Sequence, residues 1–448
     1  MDLEVYNPWW KGREGIEEDE DYRRWNSSKV KWEPPLLRML LERENIEPFS
    51  LHFIFGPRQV GKTTLLKLLI KKLLETVNPK SIFYLKCDIL ADYKELDEAI
   101  REYLKIKKFE SIEKAYIFLD EITFPREWFR AVKWNIDMGN FKNDILYLTG
   151  SLSMFVKEEI ETFPGRRGKG KDFIMYPLSF REFVQVIDDN IIRSIGELES
   201  LDMNEVRSKC FKARPWLNRL EELFELYLNS GGFPLSIRSI LESGKIGQDV
   251  INTYLSWIKG DIVRLKRNES LTKRVIKAVI EKVPSTISYH NIAREFEIKS
   301  HRTVFQHLDV LEKLFLVKVL HYIDPNEAVE VFYKQKKVHV TDPFLYSILS
   351  SWCLTRKPED SVIVESIVAS HLSRRYNIGY WKNSKEIDVV AFENKHLIGI
   401  EIKYRKRVEG SRTKIGKIDY TITLSKDQYN DEPLIVPVSV LLALLNTS

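Results

Sequence analysis

Apolar positions follow three successive rhythms along this chain. Between Ser50 and about Tyr176, short apolar runs alternate with helix-length stretches: Leu51 to Phe55, Ser81 to Leu85, Ala115 to Leu119, Ile145 to Thr149 and Phe173 to Tyr176. That alternation predicts a parallel sheet covered by helices on both faces. From 178 to 265 the period lengthens to that of helices, as in Leu220, Leu223, Phe224, Tyr227 and Leu228, and breaks at Gly231-Gly232-Phe233-Pro234, the pattern of a helical lid with a sharp turn. Residues 270 to 325 predict three short helices. The last two, Ser288 to Phe296 and Ser300 to Leu311, flank a turn, and Leu314 to Val319 with Asp324-Pro325-Asn326 opens a hairpin. This is the layout of a winged helix, with Ile298, Val304, Leu308 and Leu311 facing inward and His301, Arg302, Phe305 and Gln306 outward. Beyond it, Val362 to Arg374 predicts a helix, and Glu386 to Phe392 and Leu397 to Lys403 predict strands joined at Asn394-Lys395.

Residues 1 to 35 carry no such period. Trp9, Trp10, Trp25 and Trp32 flank the acidic run Glu17-Glu18-Asp19-Glu20-Asp21. The stretch predicts an arm whose tryptophans anchor it on the core, since its acids would repel a phosphate backbone. Composition sharpens the picture only modestly. In 448 residues, 44% hydrophobic and 30% charged positions exclude a disordered chain, and a net charge of +5 does not by itself announce a nucleic-acid binder. No apolar run reaches the roughly 18 residues that span a bilayer, and the start Met-Asp-Leu-Glu-Val-Tyr lacks the order of a signal peptide, so the expectation is a cytoplasmic protein with no membrane partner. Cys87, Cys210 and Cys353 lie too far apart for a zinc site and suit a reducing compartment.

The chemistry concentrates at Gly56-Pro57-Arg58-Gln59-Val60-Gly61-Lys62-Thr63-Thr64, between the first apolar run and a leucine-rich helix. This is a P-loop. Its backbone N–H groups turn toward a nucleotide's phosphates, Lys62 reaches the β- and γ-phosphates, and Thr63 holds Mg²⁺. The third run ends in Asp120-Glu121, where open α/β sheets bind ligands. There Asp120 would orient Mg²⁺ and Glu121 would polarise the attacking water. A second constellation lies downstream. On the strand through Glu401 and Lys403, those two side chains share a face while Ile400 and Ile402 point to the core. With Asp388 from the neighbouring strand and Glu365 from the helix, they can form a divalent-metal site with a lysine to orient water.

The P-loop, the Asp-Glu pair and a polar residue closing the next strand together resemble the AAA+ ATPases. The resemblance places Ser151 or Thr149 in the first sensor position and gives Phe163-Pro164-Gly165-Arg166-Arg167-Gly168 two candidate arginine fingers, Arg166 and Arg167. The Asp-x₁₂-Glu-x-Lys spacing, preceded by Glu365, resembles the restriction-endonuclease-like fold, in which the acids bind Mg²⁺ and the lysine assists phosphodiester hydrolysis. The ordered set, with Val340 to Tyr346 and Val364 to Ala369, is similar to a family of archaeal and other prokaryotic ATPases whose C-terminal domain is of unknown function.

The expected architecture is α/β: an arm and lead-in helix (1–45), an AAA+-like P-loop core (46–177), a helical lid (178–268), a winged helix (269–325) and a restriction-endonuclease-like domain (326–448). The expected activity is Mg²⁺-dependent ATP hydrolysis coupled to work on DNA, in a possible homo-oligomer. The alternatives are a nucleotide-controlled interaction switch with a silent nuclease-like domain, or an ATP-fuelled nuclease.

Overall fold

The computed structural model describes residues 2–150, 163–394, 396–411 and 415–447. They divide into two compact units, Met1–Tyr176 and Pro177–Ser448. The three downstream segments expected as separate domains thus lie within one unit.

In unit 1 the arm forms a short helix α1 (Glu20–Asn26), and α2 (Pro35–Leu41) leads into strand β1 (Ser50–Phe55). Helix α3 (Lys62–Leu73) is followed by β2 (Ile82–Lys86), α4 (Tyr93–Phe109), β3 (Tyr116–Asp120), α5 (Trp128–Asp137), β4 (Ile145–Gly150) and β5 (Asp172–Ile174). The five strands order as β2-β3-β4-β1-β5, and every pairing is parallel. β1, β3 and β4 are buried along their whole length, which is why they read as unbroken apolar runs rather than alternating ones. The tryptophans of the arm act as anchors. Trp9 and Trp10 are buried, and both indole N–H groups donate to the carbonyl of Ile82. The Asn7 amide pairs with the backbone of Tyr84 in both directions. The arm therefore covers the edge of β2, whose backbone groups would otherwise be open to pairing with another chain.

Unit 2 opens with six helices: α6 (Phe180–Ile187), α7 (Asp189–Ile195), α8 (Met203–Lys212), α9 (Leu217–Ser230), α10 (Pro234–Ser243) and α11 (Gln248–Arg264). Three more follow, α12 (Glu269–Lys282), α13 (Tyr289–Glu295) and α14 (His301–Lys313). On α14, Val304, Leu308 and Leu311 are buried, His301, Arg302 and Phe305 are exposed and Gln306 is half-buried. The strand after α14 begins later than the sequence pattern suggests and runs longer, as β6 (Val317–Asp324), which turns into β7 (Val329–Val331). Then come β8 (Lys337–Val340), α15 (Pro343–Cys353), α16 (Asp360–Leu372), β9 (Asn377–Lys382), β10 (Glu386–Glu393), β11 (His396–Ile402), β12 (Ile418–Ser425), β13 (Ile435–Pro437) and α17 (Val438–Leu444).

One mixed sheet, β13-β12-β11-β10-β9-β6-β7 with β8 paired to β6, runs through this unit. β6 pairs antiparallel with β7 and β8 and parallel with β9. The boundary expected at 325/326 is therefore crossed by a continuous hydrogen-bonded sheet. The segment before Asp342-Pro343 is legible as a strand that turns into the next helix, but the pattern does not show that β8 buries its Lys337 and His339, positions that a binary pattern scores as outward. Asp342 joins two of the motifs: its carboxylate accepts the N–H of Phe344 at the start of α15 and the N–H of Gly232 in the Gly-Gly-Phe-Pro turn. Burial raises its pKa to about 6 against those two donors.

Candidate functional site

The P-loop bends where the sequence supplies permissive residues. Gly56 has φ +155° and Gly61 φ +103°, and a Cβ on Gly56 would stand 2.2 Å from the carbonyl oxygen of Met175. Gln59 takes the left-handed conformation between them, at φ +59°. The strand thus ends at Phe55, the chain folds back over the sheet end, and α3 starts at Lys62 with its first N–H groups toward the loop. The Lys62 ammonium donates to the carbonyls of Gly56 (3.0 Å) and Pro57 (2.9 Å), so it lies across the mouth of its own loop. The Arg58 guanidinium stands 5.6 Å from the Phe124 ring centroid.

Asp120 ends β3 fully buried and accepts hydrogen bonds from three hydroxyls: Thr63 at 2.7 Å, Tyr84 at 2.9 Å and Thr149 at 2.5 Å. Glu121 follows it in the left-handed region, at φ +52°, and its N–H donates to the Thr149 hydroxyl at 2.9 Å. Such a conformation in a non-glycine residue costs of order 1–3 kcal/mol and is held here by its neighbours. Thr149 is thus committed to the Asp120 carboxylate and the Glu121 backbone, and Ser151, the other candidate for the first sensor position, lies outside the described residues. Thr63 and Asp120 fit Mg²⁺: a hydroxyl and a carboxylate are hard oxygen donors, already in contact, on two elements that meet at the sheet's carboxyl end.

Two residues here had no signal in the sequence. Tyr84, from β2, supplies one of the three hydroxyls. Lys67, from α3, is buried at 2% exposure, pairs with Asp19 of the arm at 2.9 Å, and stands 3.1 Å from the Tyr84 ring centroid. Two acids of the arm are therefore neutralised within the chain, Asp19 by buried Lys67 and Glu17, at the surface, by Lys71. The two candidate fingers lie elsewhere. The Arg167 carbonyl accepts the N–H of Leu51, at the amino end of β1, while the P-loop leaves the carboxyl end of that strand. Arg166 pairs with Asp137 at 2.6 Å, and Arg167 pairs with Asp172 at 2.7 Å beside the Phe53 ring. Neither joins the phosphate site of its own chain.

The downstream constellation is arranged differently from the expected metal site. Glu365 and Asp388 do converge, but on an ammonium. Lys337, at the start of β8 and 1% exposed, lies 2.9 Å from Glu365 Oε1, 3.1 Å from Asp388 Oδ1 and 2.7 Å from Glu386 Oε1. The other Asp388 oxygen accepts the N–H of Ile402 at 2.8 Å. Glu401 is 8% exposed and pairs with Lys403 at 2.9 Å, and Lys403 also donates to the Glu409 carbonyl. Ile402 is half-buried rather than in the core. Among the described residues no group of three or more His, Cys, Asp or Glu is set to hold a metal ion. The four expected residues as placed thus do not fit a divalent cation, and the physical reason is a lysine that the spacing rule did not include. Glu386 was legible in part, since it lies two positions before Asp388 and side chains two apart on a strand share a face. His339, also on β8, is fully buried, donates to or accepts from Ser366 at 3.0 Å, and has its pKa pushed down to about 3 by burial and by Lys337.

No helix among the described residues is long and apolar enough to cross a membrane. An uncharacterised protein of Methanocaldococcus jannaschii is 26% identical over 324 residues, which cover 70% of this chain and 66% of that relative. In fold comparison, the ORC2 protein of Aeropyrum pernix aligns over 71% of this chain and 92% of its own with 12% identity and a TM-score of 0.39. The ORC1 protein of Aeropyrum pernix, solved in complex with DNA, aligns over 77% and 96% with 14% identity and a TM-score of 0.31. A domain family of unknown function matches residues 221–355, from α9 to the end of α15, rather than the C-terminal segment where the resemblance had set it. The AAA domain family matches residues 49–184, the stretch that carries the P-loop, Asp120, Glu121 and Thr149. Over those residues the chain carries an AAA+-like P-loop domain.

Proposed function

We propose that this protein binds and hydrolyses ATP with Mg²⁺ and uses the nucleotide cycle to act on DNA. The observation that carries the reading is the meeting of Thr63, Asp120 and Glu121 beside a P-loop lysine. In it, the loop's N–H groups and Lys62 bind the phosphates, exchanging the lysine's carbonyl partners for phosphate oxygens. Thr63 and Asp120 hold Mg²⁺, which when bound neutralises charge on the β- and γ-phosphates. Glu121 accepts a proton from a water placed in line with the γ-phosphate, and Thr149 holds the Asp120 carboxylate and the Glu121 backbone. In this reading Arg166 and Arg167 act as fingers on a neighbouring copy's nucleotide in a homo-oligomer. The DNA-facing surface in this reading is α14, with exposed His301, Arg302 and Phe305.

The test is ATP turnover across a Mg²⁺ titration, with and without DNA, for the wild type and Lys62→Ala. The variant is expected to lose on the order of 10²-fold or more in turnover, as when a preorganised donor to developing charge is removed. Unchanged binding and turnover would sink the reading. Turnover indifferent to DNA, with normal Lys62 dependence, would favour a second reading: a nucleotide-controlled interaction switch whose nuclease-like domain is silent. The pairing of Glu365 and Asp388 with Lys337 supports that alternative.

A further inference from the structure

The restriction-endonuclease-like constellation of unit 2 contains every side chain its spacing requires, yet its acids surround an internal cation. Three elements deliver them: Lys337 from β8, Glu365 from α16, and Glu386 and Asp388 from β10. A Mg²⁺ ion bound by Glu365 and Asp388 would stand about 2.1 Å from their oxygens. The Lys337 ammonium already stands 2.9 and 3.1 Å from Glu365 Oε1 and Asp388 Oδ1. Two cations cannot share that position, because like charges a few ångströms apart at a buried site repel strongly. Nor can the lysine swing out to water at small cost: it is 1% exposed, and β8 is clamped by antiparallel pairing of Val317 to Leu320 with Lys337 to Val340. Asp388 has both oxygens engaged, one by Lys337 and one by the N–H of Ile402. Glu401 is engaged by Lys403.

We propose that Lys337 is the resident cation of this carboxylate cluster, so that unit 2 keeps the acid geometry of a nuclease-like fold but takes no divalent metal. The cluster then works as an electrostatic staple. It fastens β8 to α16 and β10, and any contact that unit 2 makes with nucleic acid or protein is independent of Mg²⁺ or Mn²⁺. The inference does not depend on the reading of the P-loop.

The experiment titrates Mn²⁺ onto the full chain without nucleotide and follows free Mn²⁺ by electron paramagnetic resonance. It is done in an Asp120→Asn background, so that the phosphate site does not contribute. The expected result is no tightly bound Mn²⁺ in that background, and gain of a single bound ion when Lys337→Ser is added, lost again when Asp388→Asn is added as well. Bound Mn²⁺ in the Asp120→Asn protein that disappears on adding Glu401→Gln or Asp388→Asn would overturn the proposal. So would a folded Lys337→Ser protein, judged by a native circular dichroism spectrum, that gains no ion. Should the Lys337→Ser protein not fold, the titration of the Asp120→Asn protein against its Glu401→Gln partner decides alone. A Mn²⁺ site lost in the partner overturns the proposal, and absence of any site in the parent supports it.

Discussion

In unit 1 the acid that ends β3 is held by three hydroxyls, from Thr63, Tyr84 and Thr149. In unit 2 the acids on α16 and β10 are held by one buried ammonium, from Lys337. A hydroxyl orients a carboxylate and leaves its charge in place for an arriving cation, whereas an ammonium both orients and cancels it. Lys67, whose charge acts on Asp120, does not upset this contrast, because it has its own partner in Asp19. Clusters of similar acids therefore yield one site poised for a cation and another that supplies its own.

The contrast can be broken most forcefully at Lys337. Lys337→Ala leaves Glu365 and Asp388 facing one another without their counter-ion, and Glu386 with Lys382 alone. Removing one partner of a buried pair costs about 3–5 kcal/mol, so urea unfolding of unit 2 should shift by that amount at neutral pH. A loss under 1 kcal/mol would mean that the cluster is hydrated and the staple idle. Next comes a pH effect in unit 1. Burial pushes the pKa of His52 down to about 4, against the pull of the Asn45 carbonyl and with Arg167 and Lys171 adding repulsion. The unfolded chain takes the proton near pH 6.5 and the folded one near 4. Stability is thus complete above about pH 6.5 and falls as pH drops toward 4, by roughly 3 kcal/mol. The slope in this window should flatten in His52→Gln, read by unfolding at pH 7 and pH 4.5, and an unchanged slope would reassign the titration.

The phosphate site should reveal itself by ligand linkage. Saturating ATP at about 100 times its dissociation constant stabilises unit 1 by about 2.7 kcal/mol, and Lys62→Ala should erase most of that shift while leaving the unliganded melting temperature in place. The smallest effect sharpens the comparison most. Tyr84→Phe keeps the ring under the Lys67 ammonium and removes one hydroxyl from Asp120, which should cost about 1 kcal/mol in stability. Turnover should fall with a raised Mg²⁺ requirement. If the Mg²⁺ requirement does not move, the hydroxyl is structural and Asp120 is held well enough by Thr63 and Thr149.

What the sequence determined by itself was local. The P-loop is legible because its geometry is written in consecutive residues: two glycines at positive φ, a lysine, and a threonine at the start of α3. Strands β1 to β4 of unit 1 are legible because sheets buried on both faces demand unbroken apolar runs, and Asp120 and Glu121 stand out as charges directly behind such a run. Tyr84, Thr149 as the partner of the Asp120 carboxylate and the Glu121 backbone, and the Asp19–Lys67 pair were decided only by tertiary structure, since each meets its partner across the fold. The same holds more sharply in unit 2. Glu365, Asp388, Glu401 and Lys403 could be picked out by spacing, but spacing is blind to a fifth residue arriving from a strand with a polar pattern. Lys337 sits at a buried position that hydropathy assigns to solvent, and only the packing of β8 against α16 and β10 shows which charges it meets. Backbone conformation is set by neighbours in the chain, whereas the charge state of a buried cluster is set by whichever distant side chains the fold brings to it.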